Sequence, residues 1–224
     1  KAGFTGVMQP FSDTTVELDY ATNNGAQIVE TENGNRLVVE SSPTDTNQGQ
    51  AAFTFGATVA DDFTLSGTFD NPYFDSDETP ANFAQNGLIV GLDGGTFVKF
   101  VTGTPGADFE LSGKTGNVDG TNPPKTTPLT DKVSHAAITL DLDVEVTPTE
   151  VIFVGSWTTL DAVGNAIQTG AMAPLTLTSG ALFDAIQAGD AAVSLGISPT
   201  HTSGPEAPFP VSLSALSLID GNLD

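Results

Sequence analysis

HAAITLDLDVEVTPTEVIFVGSWTTL, His135 to Leu160, holds the pattern on which the fold turns. In its first half Leu140, Leu142, Val144 and Val146 alternate with Asp141, Asp143 and Glu145. Successive strand residues point to opposite faces, so this spacing predicts a strand with one aliphatic face and one face of three carboxylates. In the second half Phe153, Gly155 and Trp157 share a face. Trp157 reads first as a core filler, and also as a ligand-binding candidate on a sheet face, because indole rings stack on sugars.

Runs of the same kind recur on both sides of this stretch: RLVVES, QAAFTFGATV, DFTLSGTF, NGLIVGL, TFVKFVTG, DFELSG and PVSLSALSLID. Gly, Asn, Asp and Pro turns bound them at short intervals, which predicts an antiparallel sandwich or barrel. NGLIVGL is continuously aliphatic, the mark of a strand buried on both faces. ENGN (Glu32–Asn35) and LDGGTF (Leu92–Phe97) read as hairpin turns. Only SGALFDAIQAGD has helical spacing, with Leu182, Phe183 and Ile186 on one side, Ser179 as a candidate cap and Gly189 as a stop, giving one short helix near 179–189. The irregular stretch from Gly113 to Lys132 is read as lying inside one domain spanning 1–224, because PVSLSALSLID has the form of a strand that returns to an existing sheet.

The chain carries 28 acidic against 6 basic side chains, a net charge of -22, and from Val133 to Asp224 it has neither Lys nor Arg. Nucleic acid and anionic membrane surfaces are therefore poor partners. The absence of cysteine excludes disulfide scaffolds, thiol catalysis and thiolate metal sites. No run approaches the ~18 apolar residues of a spanning helix, so direct membrane insertion is not expected. The chain opens on Lys1 and reads as a monomeric module of a longer protein.

DNPYFDSDETP follows the run DFTLSGTF. Pro72 and Pro80 cannot donate to a central ladder and its acids cannot be buried unpaired, which predicts an exposed loop at one end of the fold. Asp70, Asp75, Asp77 and Glu78 are the candidate metal ligands, since Ca²⁺ takes six to eight oxygens from flexible donors; no EF-hand spacing is present, and a plain solvated loop has the same composition. Tyr73 and Phe74 are a hydrophobic anchor or a stacking platform, and with Asn82 they complete the ligand-binding candidates. NVDGTN (Asn117–Asn122) and DAVGN (Asp161–Asn165) have the composition of turns. His135 and His201 are the only imidazoles and neither lies near a serine elbow, so a Ser-His-Asp triad has no support.

The order GQAAFTFGATVADDFTLSGTF, NGLIVGLDGGTFVKFVTG, the stretch quoted above, a short helix and PVSLSALSLID resembles the concanavalin A-like lectin/glucanase jelly rolls of secreted bacterial adhesins and modular carbohydrate-active proteins. The resemblance implies an all-β fold of two curved antiparallel sheets, often a structural calcium ion, and sugar recognition on a concave face or on loops at one end. Glycosidases of this fold carry alternating acids in a Glu-x-Asp-x-(x)-Glu pattern; Asp141 stands where the first Glu would be. Same-face strand neighbours lie ~6.5–7 Å apart at the backbone, and a retaining pair needs its carboxyls ~5–5.5 Å apart. Asp141, Asp143 and Glu145 are thus the alternative catalytic set, although any strand with a solvated face shows the same alternation. The leading expectation is a calcium-assisted carbohydrate-binding module, extracellular, secreted or at the cell surface, that takes a neutral carbohydrate or surface glycan. A structural or protein-binding spacer of a calcium-dependent adhesin and a glycoside hydrolase are the alternatives.

Overall fold

The computed structural model describes residues 6–8, 15–17, 27–30, 37–41, 52–59, 61–70, 85–93, 95–103, 108–115, 134–189, 192–197 and 209–220. They form fifteen strands and one helix: β1 (Gly6–Met8), β2 (Thr15–Glu17), β3 (Gln27–Glu30), β4 (Leu37–Ser41), β5 (Ala52–Thr58), β6 (Phe63–Asp70), β7 (Gln85–Asp93), β8 (Thr96–Gly103), β9 (Asp108–Thr115), β10 (Ala137–Val146), β11 (Val151–Leu160), β12 (Ala166–Ala171), β13 (Leu175–Leu177), α1 (Ala181–Ala188), β14 (Ala192–Ile197) and β15 (Phe209–Asp220). Two antiparallel sheets result. Sheet A runs β2-β1-β5-β14-β7-β8-β9 and sheet B runs β12-β11-β10-β6-β15-β4-β3, with β13 paired to β11.

The decisive stretch forms a long hairpin. β10 pairs with β11 from Ala137↔Leu160 to Val146↔Val151, and its other edge pairs with β6. Leu140, Leu142 and Val144 are buried as the alternation requires, with Val146 half-buried. On β11 every odd position from Val151 to Thr159 is buried. The strands flanking ENGN, β3 and β4, pair with each other. So do β7 and β8, where Gly95 donates its N–H to Asp93 Oδ1 at 2.8 Å. β15 inserts between β6 and β4, the return to an existing sheet expected of PVSLSALSLID.

One hydrophobic core joins the sheets. Leu88, Val90, Phe100, Phe109 and Leu195 of sheet A meet Leu65, Phe69, Leu140, Leu142 and Phe153 of sheet B. Complete burial of one such side chain contributes about 1.5–3 kcal/mol. The sheets approach so closely at Phe100 that a Cβ on Gly155 would lie 2.7 Å from its ring, which explains a glycine in the middle of β11. Among the described residues no helix is long and apolar enough to cross a membrane.

Two local expectations are corrected. Ser179 does not cap α1; Gly180 is its N-cap, with no side-chain cap, and its carbonyl accepts from the Asp184 N–H at 2.8 Å. The end is as expected, Gly189 taking the left-handed conformation, φ 67, that costs glycine least. Leu182 and Ile186 face the core, with Phe183 packed against it. The irregular stretch begins later than Gly113, because β9 continues through Thr115 on its pairing with β8. DAVGN is a turn between β11 and β12. Asp161 Oδ1 accepts from the N–H groups of Val163 (2.9 Å) and Asn165 (2.8 Å), and Gly164 has φ 87. NVDGTN lies outside the described residues.

Candidate functional site

β7, β8 and β9 place a polar cluster on the face of sheet A turned away from the core. Val98 and Phe100 point into the core, so Lys99 between them points out. Register puts Ile89, Lys99 and Ser112 in one row, Gly87, Val101 and Glu110 in the next, and Gln85 one row further. Lys99 Nζ donates to Gln85 Oε1 at 2.7 Å, Gln85 Nε2 donates to Glu110 Oε2 at 3.4 Å, and Ser112 Oγ donates to Glu110 Oε1 at 2.9 Å. Lys99 is only 6% exposed. Burial strips water from its ammonium and lowers its pKa, while the Glu110 carboxylate pulls the other way. Gly87 belongs to this face for a steric reason: a Cβ there would lie 2.1 Å from the Phe100 carbonyl oxygen and 2.6 Å from Val101 Cα. The result is a buried lysine held among half-buried Gln85, Glu110 and Ser112, a nearly charge-balanced set of donors and acceptors on three adjacent strands, a chemistry suited to hydroxyl groups.

Sequence reasoning did not single out these four residues. A signal was present: Lys99 is the one charge in the buried run TFVKFVTG, and Glu110 and Ser112 alternate with Phe109 and Leu111.

The outer face of sheet B carries the acids that the sequence did single out. Ser66 Oγ donates to Asp141 Oδ1 at 2.5 Å and Thr64 Oγ1 to Asp143 Oδ1 at 2.6 Å, while the Thr68 and Thr139 hydroxyls meet at 3.0 Å. Asp143 and Glu145 border a shallow depression of ≈ 290 Å³ with Asp62, Thr64 and Ile219. Asp62 is itself engaged, accepting from the Val146 N–H at 2.7 Å. Phe63, Phe69, Phe153 and Trp157 of the strands beneath are all buried in the core, on the opposite side from these carboxylates. Among the described residues no group of three or more His, Asp or Glu is arranged to hold a metal ion.

Trp157, read as a core residue or a ligand-binding candidate, is a core residue. It is 4% exposed and stacks on Phe109 with ring centroids 4.2 Å apart and an interplanar angle of 3°. Its indole lies against Gly170 of β12, where a Cβ would sit 2.5 Å from Cζ2. Asp70 ends β6, half-buried and paired with Ala137. Tyr73, Phe74, Asn82, Asp75, Asp77 and Glu78 lie outside the described residues, so Asp70 is the one member of the metal set with an assigned place. His135 is buried beside the start of β10, and His201 lies outside the described residues.

No family model and no curated protein matches the chain. Solved structures do. A mutant of the GH43 protein BlXynB from Bacillus licheniformis superposes with a TM-score of 0.53 at 10% identity, over 83% of this chain and 33% of that one. The chain thus spans about a third of that protein's length. Emp47p carbohydrate recognition domain matches with a TM-score of 0.48 at 10% identity, over 99% of both chains. Lectin I from Ulex europaeus, in complex with the methyl glycoside of α-L-fucose, matches with a TM-score of 0.46 at 12% identity, over 95% of this chain and 94% of that one. The two antiparallel sheets and the likeness to the first of these define the fold alone: the chain is an all-β sandwich.

Proposed function

We propose that the chain is a carbohydrate-binding, lectin-like module of a secreted or cell-surface bacterial protein, and that the half-buried Gln85, Glu110 and Ser112 on the outer side of sheet A, backed by Lys99, line its binding site. The observation that carries this reading is the hydrogen-bonded set Lys99, Gln85, Glu110 and Ser112. A charged side chain is rarely buried on the outward side of a sheet unless its partners are fixed. Here the cation, the carboxylate, the amide and the hydroxyl are held in one patch, and sugar hydroxyls are both donors and acceptors. Because Lys99 is balanced by Glu110, the ligand that fits is neutral. An anionic polysaccharide would meet the field of a chain with a net charge of -22.

Calcium assistance is part of the proposal. Asp70, at the end of β6, would join Asp75, Asp77 and Glu78 of the segment that follows it as oxygen donors.

A glycan array, followed by calorimetry on the strongest neutral binder with and without EDTA, tests both parts. Gln85→Ala and Lys99→Met are expected to abolish or reduce binding at least tenfold, while Asp143→Asn leaves it unchanged. A folded protein that retains no glycan sinks the lectin reading; if calcium still raises its melting temperature, the spacer of a calcium-dependent adhesin takes its place. Reducing-sugar release that Asp143→Asn eliminates would install the hydrolase instead.

A further inference from the structure

Among the described residues, the buried side-chain atoms without a hydrogen-bond partner include Trp157 Nε1 and, on two adjacent strands, Asn86 Nδ2, Asn86 Oδ1 and Thr102 Oγ1. Asn86 and Thr102 are each 1% exposed, and they face each other across the β7–β8 pair in register. Both share the inward face with Leu88 and Phe100, which are fully buried. The row continues to Phe109 of β9, whose ring stacks on Trp157 from the opposite sheet. An amide and a hydroxyl therefore stand side by side in an otherwise aliphatic and aromatic layer, at the end of the sandwich where β7 begins and β8 finishes.

We propose that this pair is the binding site of an ordered internal water. Directly opposed residues of an antiparallel pair have their Cβ atoms ~4.5–5.5 Å apart, and one water spans such a gap with two hydrogen bonds of about 2.7–3.2 Å. The chemistry matches atom for atom. Water donates to Asn86 Oδ1 and accepts from the Thr102 hydroxyl, or accepts from the Asn86 amide and donates to a lone pair of Thr102 Oγ1, two bonds in either case and within the range of about two to four found for buried waters. The fully buried neighbours Leu88 and Phe100 restrict the occupant to something small and uncharged. The site is separate from the Lys99 cluster, which lies on the other face of the same strands, so it stands whether or not the chain binds sugar.

A high-resolution crystal structure of the full chain, paired with water-to-protein nuclear Overhauser transfer in solution, tests it. The expected result is one density peak within hydrogen-bond distance of both Asn86 and Thr102, with transfer from a long-lived water to the Asn86 side-chain amide protons. Both signals should vanish in the double variant Asn86→Leu with Thr102→Val, which keeps the layer's volume and removes its polar atoms. A direct Asn86–Thr102 hydrogen bond with no density between them, or a wild-type protein with no transfer at Asn86, overturns the proposal. Since the wild-type measurements decide between these outcomes, a double variant that fails to fold does not shelter it.

Discussion

The two sheets differ in how they treat the face turned away from the core. In sheet B, β6 and β11 alternate strictly between buried and half-buried residues, and β10 alternates between buried and partly or fully exposed ones. The outer positions are Thr, Ser and Asp joined by short hydroxyl–carboxylate bonds. In sheet A, β7 and β8 are buried on both faces: Ile89 and Phe97 form a second apolar cluster, Val101 is fully buried, and Lys99 is 6% exposed. Water solvates the carboxylates of the first face, which therefore need little from their neighbours. On the second face Lys99, almost wholly buried, depends on protein partners, and this makes its polar set costly to disturb.

The largest expected effect is at Phe97. If the outer face of sheet A is as buried as the core, Phe97→Ala should cost about 3–5 kcal/mol, as for a core aromatic. Urea unfolding followed by the fluorescence of Trp157, the single tryptophan, measures it. A loss below about 1 kcal/mol would break the comparison.

Next comes Lys99→Ala, which leaves Gln85 and half-buried Glu110 without their cation and should cost about 1–3 kcal/mol. Its pH signature is distinctive. A lysine whose folded pKa is lowered binds fewer protons in the folded state, so the penalty of burying its charge is fully present below that lowered pKa. The penalty is relieved as pH rises toward the unfolded value near ~10.4. Stability should thus gain from this residue on the alkaline side, and Lys99→Met should flatten that gain.

On sheet B, Asp141→Asn and Asp143→Asn should each change stability by no more than about 0.5 kcal/mol, since an amide oxygen still accepts from Ser66 or Thr64 in partly or fully exposed positions. A larger loss would mean that this face is also closed.

The smallest effect is at the turn after β11. The Asn165 side chain and backbone hold the Asp161 carboxyl below its ordinary range, helped by the N–H groups of Val163 and Gly164. A depressed carboxylate contributes stability that is present above its unfolded pKa and lost as pH falls through the folded one. Asp161→Ala should therefore weaken the turn slightly at neutral pH and not at strongly acid pH. Amide exchange at Val163 and Asn165 checks this.

How much of the site was legible divides along the same line. The acids of β10 were visible because alternation writes both faces of a one-sided strand into the sequence. The continuous run of β7 announced burial on both faces as well. What that run concealed was the partnership on its outer side, because Gln85 and Lys99 are 14 positions apart and meet only through the β7–β8 register. Trp157 went the same way: its parity with Phe153 and Gly155 fixed its face, while its stacking on Phe109 required the other sheet.

By itself, then, the chain's period of two and its continuous apolar runs marked most of the strands, β1, β2 and β12 excepted, and turn-forming residues marked where hairpins fold back. Glycine with a left-handed end determined where the one helix stops. The tertiary structure alone decided which sheet has a second buried face, which carboxylate faces a lysine and which faces water, and that Asn86 and Thr102 stand together in the interior. Periodicity is a property of neighbouring residues along the backbone, whereas desolvation is a property of whatever packs on top of them, and that packing is set by strands brought together from distant parts of the sequence.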